Sequence, residues 1–174
     1  AWVLGQDIAF AGRLAARHGS TAAVLQALQA VVPQQLAEVA EALPLAEGSP
    51  LARAHGTRYP IVQGAMTRVS DHAELAFHVA DTGALPFLAL SLLRGAEVDE
   101  LLTATTRRLG ALPYGVGILG FVPHELRSEQ LEVVLRHKPP FALIAGGRPD
   151  QAQALEAQGI KTYLHVPSPL LLRS

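Results

Sequence analysis

Tyr59-Pro60-Ile61-Val62-Gln63-Gly64-Ala65-Met66-Thr67-Arg68-Val69-Ser70-Asp71 joins three signals in one short run. An apolar segment ends in Gln-Gly-Ala-Met, and a helix signal follows at once. That order reads as a buried strand delivering a small-residue loop to one rim of a sheet. Gly64 and Ala65 place almost no side chain in the way, so the loop backbone can approach a flat ligand closely. The same unit recurs downstream. Apolar strand candidates fall at Ile61–Gln63, Leu85–Ala89, Tyr114–Ile118, Ala142–Ala145 and Thr162–Val166. Helix candidates lie between them at Asp71–Thr82, Ala96–Leu109, Glu125–His137 and Asp150–Gln158. Each helix stops near Gly83, Gly110, Lys138-Pro139-Pro140 or Gly159.

The strands are almost wholly apolar rather than alternating, as expected where helices cover both faces of a parallel sheet. Strict strand–helix alternation makes an α/β sheet, either open or closed into a barrel. An open dinucleotide-binding sheet needs Gly-x-Gly-x-x-Gly after its first strand and an acid at the end of its second. Gly64-Ala65-Met66-Thr67-Arg68-Val69 fails the first requirement and Leu90-Ser91 the second. In a TIM barrel, ligand residues come from the C-terminal ends of several strands. Those ends are Gln63–Met66, Leu90-Ser91, Gly117–Gly120, Ala145–Gly147 and His165–Ser168, and several are small enough to share one pocket. A partial TIM barrel is therefore expected. A full barrel has eight strands and takes roughly 250 residues, so this chain is expected to hold about the first five βα units.

The 174 residues are 49% hydrophobic and 17% charged, enough to bury a core. A net charge of −1 with scattered basic residues leaves no electrostatic footprint for nucleic acid. Absence of cysteine excludes disulfides and thiolate metal sites and suits a cytoplasmic setting. No secretory leader pattern opens the chain. The apolar run Ala84–Leu93 is interrupted by Pro86 and is too short to span a membrane. Because the chain starts at Ala1 and Ser174 falls in an apolar run, both ends read as cut from something longer.

Residues 1–45 read as a helical arm. Asp7 would cap a helix Ile8–His18 closed by Gly19, and Ser20 a second helix Thr21–Val32. Pro33 would mark a break or the first turn of a third helix, ending near Leu43. Rich in alanine and poor in charge, the arm is expected to pack against a neighbour. Residues 46–58, with Glu47-Gly48-Ser49-Pro50, read as a linker. Residues 59–174 read as the barrel part.

Gln63 to Met66 offers backbone and amide contacts to a flat cofactor, with Met66 on its face. The spacing fits equally a tight turn with Met66 as a core plug. Gly115-Val116-Gly117-Ile118-Leu119-Gly120 suggests a phosphate cradle but lacks a P-loop's Gly-Lys-Ser/Thr end. Glycines that let strands approach one another suit it better. After the fourth strand, Arg148 either holds an anionic substrate or is a solvated loop residue, the commoner outcome. His165 either faces a ligand or is a buried, hydrogen-bonded histidine. His72 and His78 lie near opposite sides of a helix and make no metal pair. No His-Glu-x-x-His, paired strand-end carboxylates or Gly-x-Ser-x-Gly turn occurs. Lys138 and Lys161 lie on the wrong rim for an aldolase-type lysine.

These residues resemble the nitronate monooxygenase (2-nitropropane dioxygenase-like) family, which also contains FMN-dependent enoyl-ACP reductases. The resemblance runs from about Gly56 to Ser174. It rests on Tyr59–Met66 with Ser70, Gly83–Leu88, Tyr114–Gly117, Gly147–Asp150 and Val166–Ser168. Met66–Asp71 and Ile144–Asp150 are most similar to the version of this domain built into large bacterial polyketide or fatty-acid synthases.

The resemblance implies an FMN-binding TIM barrel in an oxidoreductase acting on a nitronate or an enoyl thioester. NAD(P)H would supply electrons in the second chemistry, and acyl carrier protein would be the partner inside a synthase. It implies cofactor contacts at Gln63, Gly64, Ala65, Met66, Gly117, Gly146 and Gly147, and a substrate pocket at Arg148, His165 and Ser168. Gly117 stands where the family often has a flavin-binding Asn, so one side-chain contact is missing. The family's catalytic His and its phosphate-binding glycines come later than Ser174. The chain alone is therefore expected neither to hold FMN tightly nor to turn over. An open half-barrel is also expected to aggregate through its strand edges. The alternative is a non-catalytic barrel with a structural or docking role in a synthase.

Overall fold

The computed structural model describes residues 8–166. The Asp7 cap and the Pro167-Ser168 end of the fifth-strand motif lie outside them. The chain divides into two units between Pro44 and Leu45.

The first unit holds α1 (Ile8–His18) and α2 (Thr21–Ala42). Gly19 takes a φ of 75°, and its N–H closes on the Ala15 carbonyl at 2.8 Å, which ends α1. Ser20 Oγ accepts from the Ala23 N–H at 3.2 Å and starts α2. The break expected at Pro33 does not occur: α2 runs through it to Ala42. Pro33 has no N–H to offer Gln29, and its ring crowds that carbonyl. A helix already nucleated at Ser20 nevertheless adds residues cheaply, and Gln34 to Glu38 are good helix formers. The side-chain amides of Gln34 and Gln35 each donate to the Glu38 carboxylate at 2.8 Å, bracing the turn after the proline. Leu43, at a φ of 45°, closes α2 with its N–H on Val39 O. No described residue of α1 or α2 is buried.

The second unit opens with α3 (Pro50–His55), inside the segment read as a linker. Ser49 caps it, Pro50 occupies its first turn, and Ala52 and His55 are buried. The succession is then β1 (Val62–Gln63), α4 (Ala73–Asp81), β2 (Leu85–Ala89), α5 (Gly95–Leu109) and β3 (Gly115–Leu119). It continues with α6 (His124–His137), β4 (Phe141–Ala145), α7 (Pro149–Glu156) and β5 (Lys161–Leu164). Every strand and helix expected after Tyr59 is present, with ends displaced by at most two residues.

The five strands are parallel and ordered β1-β2-β3-β4-β5. Val62 lies beside Leu85, Phe87 beside Gly115, Gly115 beside Phe141, and Phe141 beside Lys161. A doubly wound sheet reverses its strand order at a switch point; this one never does. Each crossover returns one strand further on, which is the winding of a TIM barrel. The chain is an α/β protein built as part of that barrel. Even-numbered residues of the central strands, Leu88, Leu90, Val116, Ile118, Ala142 and Ile144, pack outward on Val98, Leu102, Val133, Val134 and Leu155. The odd-numbered Leu85, Phe87 and Phe141 form a separate cluster on the inner face, with Ala65 and Leu143 against it.

Candidate functional site

Inward residues shrink along β2 and β4. Phe87 gives way to Ala89, Phe141 to Leu143 and then Ala145, while β3 presents Gly115 and Gly117. Large rings therefore fill the N-terminal half of the interior, and the C-terminal half is left open. A hollow of about 160 Å³ lies there. Its wall is Gly64, Ala65 and Thr67 after β1, Ala89 and Ser91 after β2, Gly117 to Leu119 on β3, Leu143 and Ala145 on β4, and His165 after β5. Gly64, Ala65, Gly117 and His165, all named from the sequence, thus meet at one place. Gln63, Met66, Gly146, Gly147 and Arg148 are not on this wall, and Ser168 lies outside the described residues.

The loop after β1 is held from both sides. Ser70 is buried; its Oγ accepts from the Met66 N–H at 2.8 Å, and its carbonyl accepts from the Ala89 N–H at 2.8 Å. The Gln63 amide donates to the Gly64 carbonyl and, at 3.3 Å, to the Phe87 carbonyl. Met66 is 44% exposed and so does not plug the core. Ala65 leans over β3: a Cβ on Gly117 would lie 2.2 Å from the Ala65 Cβ. The absent side chain at Gly117 is what lets the loop close down.

Gly147 has a similar packing reason. A Cβ there would lie 2.2 Å from Ile144 Cγ2, and a Cβ on Gly120 would lie 2.3 Å from Gly147 Cα. The loops after β3 and β4 touch through backbone. Arg148 pairs with its near neighbour, its Nε and one terminal nitrogen donating to the Asp150 carboxylate at 2.9 and 2.7 Å. That pairing holds the Asp150 carboxyl below its usual range. His165 is exposed, and its backbone N–H donates to Ile144 O at 3.0 Å.

Three residues of the rim were not singled out from the sequence. Thr67 Oγ1 and Ser91 Oγ lie 2.7 Å apart. Ser91 is buried at a φ of 40°, and nearby Arg68 has a φ of 63°. Left-handed backbone in such residues costs on the order of 1 kcal/mol or more and persists only where the surroundings enforce it. At Ser91 the enforcing group is Gln130 on α6. Fully buried, its amide donates to Ser91 O at 3.1 Å and to Leu93 O at 2.8 Å. Thr67, Ala89 and Ser91 also border a second hollow of about 210 Å³, reaching Arg68, Asp71, Leu93 and Glu97.

A larger cavity, about 580 Å³, lies at the opposite rim among Leu51, Ala54, His55, Phe141, Ile160, Lys161 and Tyr163. Barrel enzymes work at the C-terminal rim, while the N-terminal rim serves stability. His55 there is 5% exposed and hydrogen-bonds the Tyr163 hydroxyl through Nε2. Burial, and then the Lys161 charge, push its pKa down. Among the described residues no group of three or more His, Asp or Glu could hold a metal ion. No described helix is long and apolar enough to cross a membrane.

No family model matches the chain, and no curated protein matches it in sequence. Solved structures do match. FabK from Thermotoga maritima has a TM-score of 0.63 at 21% identity, covering 71% of this chain and 39% of that one. The nitroalkane oxidase from Streptomyces ansochromogenes gives 0.61 at 20% identity, over 70% and 44%. The enoyl reductase domain of MlnA, from the macrolactin biosynthesis cluster of Bacillus amyloliquefaciens, gives 0.51 at 21% identity, over 57% and 23%. At these identities the likeness establishes the fold. The chain spans about two-fifths of the length of the first two structures. A nitroalkane oxidase and an enoyl reductase domain, the two kinds of enzyme that the sequence resemblance brings together, thus share this architecture.

Proposed function

We propose that residues 59–174 are the N-terminal part of an FMN-dependent oxidoreductase of nitronate monooxygenase or enoyl reductase kind, preceded by a helical arm, 1–45, and a joining segment, 46–58. The observation that carries this reading is the closure of Ala65 over Gly117. It presents the backbone of Gly64 and Ala65 to a hollow bounded by all five strand ends.

A flat ring fits the residues present. Ligand pockets run from about 300 to 1,000 Å³; the hollow beside Gly117, about 160 Å³, and its neighbour of about 210 Å³, which shares Thr67, Ala89 and Ser91 with it, would have to open into each other to reach the lower end of that range. No lysine or arginine lines the hollow beside Gly117, so these residues suit a ring and not a phosphate. When bound, FMN would supply the two-electron chemistry. Gly64 and Ala65 would hold the ring by close backbone approach, and Thr67 and Ser91 would orient its polar edge with their hydroxyls. Met66 would cover it from the rim, while Gln63 stiffens the loop beneath. Gly146 and Gly147 would shape the far wall through the loop they pack. Arg148, His165 and Ser168 are assigned to the substrate side.

The likeness to the MlnA domain, with Met66–Asp71 and Ile144–Asp150, supports an acyl thioester substrate carried on acyl carrier protein, with NAD(P)H as electron donor. A nitronate is the substrate if the nitroalkane oxidase is the better guide.

FMN titrated into the 174-residue chain, followed by flavin fluorescence, tests the reading. We expect weak binding, with a dissociation constant on the order of 10⁻⁴ M. A Cβ on Gly64 meets nothing within 4 Å, so Gly64→Val should leave the unfolding midpoint unchanged and abolish the binding. Binding indifferent to Gly64→Val, or none at all, overturns the flavin site. Nanomolar binding would contradict the expectation that later segments are needed.

A further inference from the structure

Thr67, in the loop after β1, and Ser91, in the loop after β2, border both the hollow beside Gly117 and its neighbour. Apart from His165 they are the polar side chains on the wall of the first; the rest of that wall is Gly, Ala, Ile and Leu. Their hydroxyl oxygens lie 2.7 Å apart, and either can be the donor. Each hydroxyl has one hydrogen to give and two lone pairs, so a single bond between them leaves one hydrogen over. The direction of the bond decides which residue keeps it. When Thr67 donates, Ser91 has a hydrogen to give; when Ser91 donates, it has only lone pairs to offer. Thr67 is exposed, so water can take up its spare hydrogen. Ser91 is 7% exposed and depends on Thr67. Gln130, holding the carbonyls of Ser91 and Leu93, fixes the backbone that carries the Ser91 hydroxyl.

We propose that the Thr67–Ser91 pair is a reversible hydrogen-bond contact, donating to the polar edge of an oxidised flavin ring and accepting from the same edge once the ring is reduced. This role rests on a flavin occupying the hollow, as proposed above. Reduction adds two electrons and a proton, so a ring nitrogen that accepts hydrogen bonds gains an N–H that donates them. Hydrogen bonds to the ring nitrogens are one means by which a protein tunes such a cofactor. A backbone N–H or an ammonium serves only the first state, and a carbonyl only the second. Reversal of the Thr67–Ser91 bond serves both without movement of the chain. Ser91 is satisfied either way: it accepts from Thr67 while it donates to the ring, and donates to Thr67 while it accepts from the ring. Without the Thr67 hydroxyl the two states part. The oxidised ring still receives the Ser91 hydrogen. Against the reduced ring that hydrogen has no acceptor, and a buried donor left unpaired costs more than an empty lone pair.

Anaerobic equilibrium dialysis of the 174-residue chain against oxidised FMN and against dithionite-reduced FMN measures the two affinities. The chain has no cysteine, so the reductant leaves the protein itself unaltered. Thr67→Val keeps the side-chain shape at an exposed position. It should weaken the binding of reduced FMN about tenfold more than that of oxidised FMN. For a two-electron couple that ratio lowers the potential of the bound flavin by about 30 mV. Thr67→Ser restores the hydroxyl and should return the ratio of affinities to that of the unmodified chain. Ser91→Ala removes the contacting group and should weaken both forms alike, and Thr67→Val added to it should then leave the ratio where Ser91→Ala put it. Equal weakening of both forms by Thr67→Val overturns the proposal, because Thr67 then only shapes the hollow. So does a Thr67→Ser chain that behaves as Thr67→Val does. In both cases FMN still binds and the flavin site stands. Binding of neither form overturns the flavin site, and the role of the pair falls with it.

Discussion

Ala65 and Gly117 compete for one volume. Any Cβ on Gly117 would have to displace the loop after β1, since it would lie 2.2 Å from the Ala65 Cβ. Gly117→Ala should therefore destabilise the chain by about 1–3 kcal/mol, the usual cost of overpacking a closed contact. Adding Ala65→Gly removes the colliding atom, so the double variant should be more stable than the sum of the single effects by about 0.5 kcal/mol or more. Urea midpoints of the four chains measure that coupling, and strict additivity would mean that the loop does not rest on Gly117. Gln130→Leu tests the other brace. It strips the donors from Ser91 O and Leu93 O, and leaving a buried carbonyl unpaired costs about 1–3 kcal/mol. These two positions also differ in how visible they were. Gly117 stood out because its glycine-rich strand end breaks an apolar run, although its partner Ala65 could be found only in three dimensions. Gln130 gave no signal, because a polar residue on a helix looks solvated until a neighbouring loop is seen to cover it.

At the scale of elements, β2 to β4 announced themselves because their residues are apolar on both faces and the helices between them stop at glycine or at Lys138-Pro139-Pro140. The ends moved where caps decided the matter: α4 begins two residues after Asp71, and β5 ends at Leu164. Within the arm, Pro33 misled for a physical reason. Proline weighs heavily in any local reading, yet its cost of about 3 kcal/mol is a single term that a long run of good helix formers can absorb. That cost is recoverable. Pro33→Ala restores the missing N–H bond to Gln29 and removes the clash, so α2 should melt higher in circular dichroism. The gain should fall short of 3 kcal/mol, roughly, because alanine also frees the unfolded chain. A lower melting temperature would show that the proline is preferred where it stands.

Across the whole molecule, the N-terminal rim depends on one titrating contact. His55 reaches from α3 to the Tyr163 hydroxyl on β5, packs edge-on against Phe141, and has Lys161 close by. Lys161 itself donates to Ala54 O at 3.0 Å, a second tie between the same two elements. Acid should loosen this rim first. Burial, and then the Lys161 charge, oppose a proton on His55, so its folded pKa lies below the ordinary 6.5. The unfolded chain regains the ordinary value and binds more protons between the two, so stability rises with pH across that window. The contribution is full above about pH 6.5 and is lost as the pH falls from there toward the folded value. Asp99 acts lower down. Hydrogen bonds from His137 and Arg136 hold its carboxyl below 3.8, so what it adds is lost only as the pH falls below that value. Urea midpoints measured from pH 8 to pH 5 should therefore decline, and His55→Gln, which cannot take the proton, should decline less. Parallel curves for the two chains would mean that His55 is not what makes the folded rim sensitive to acid.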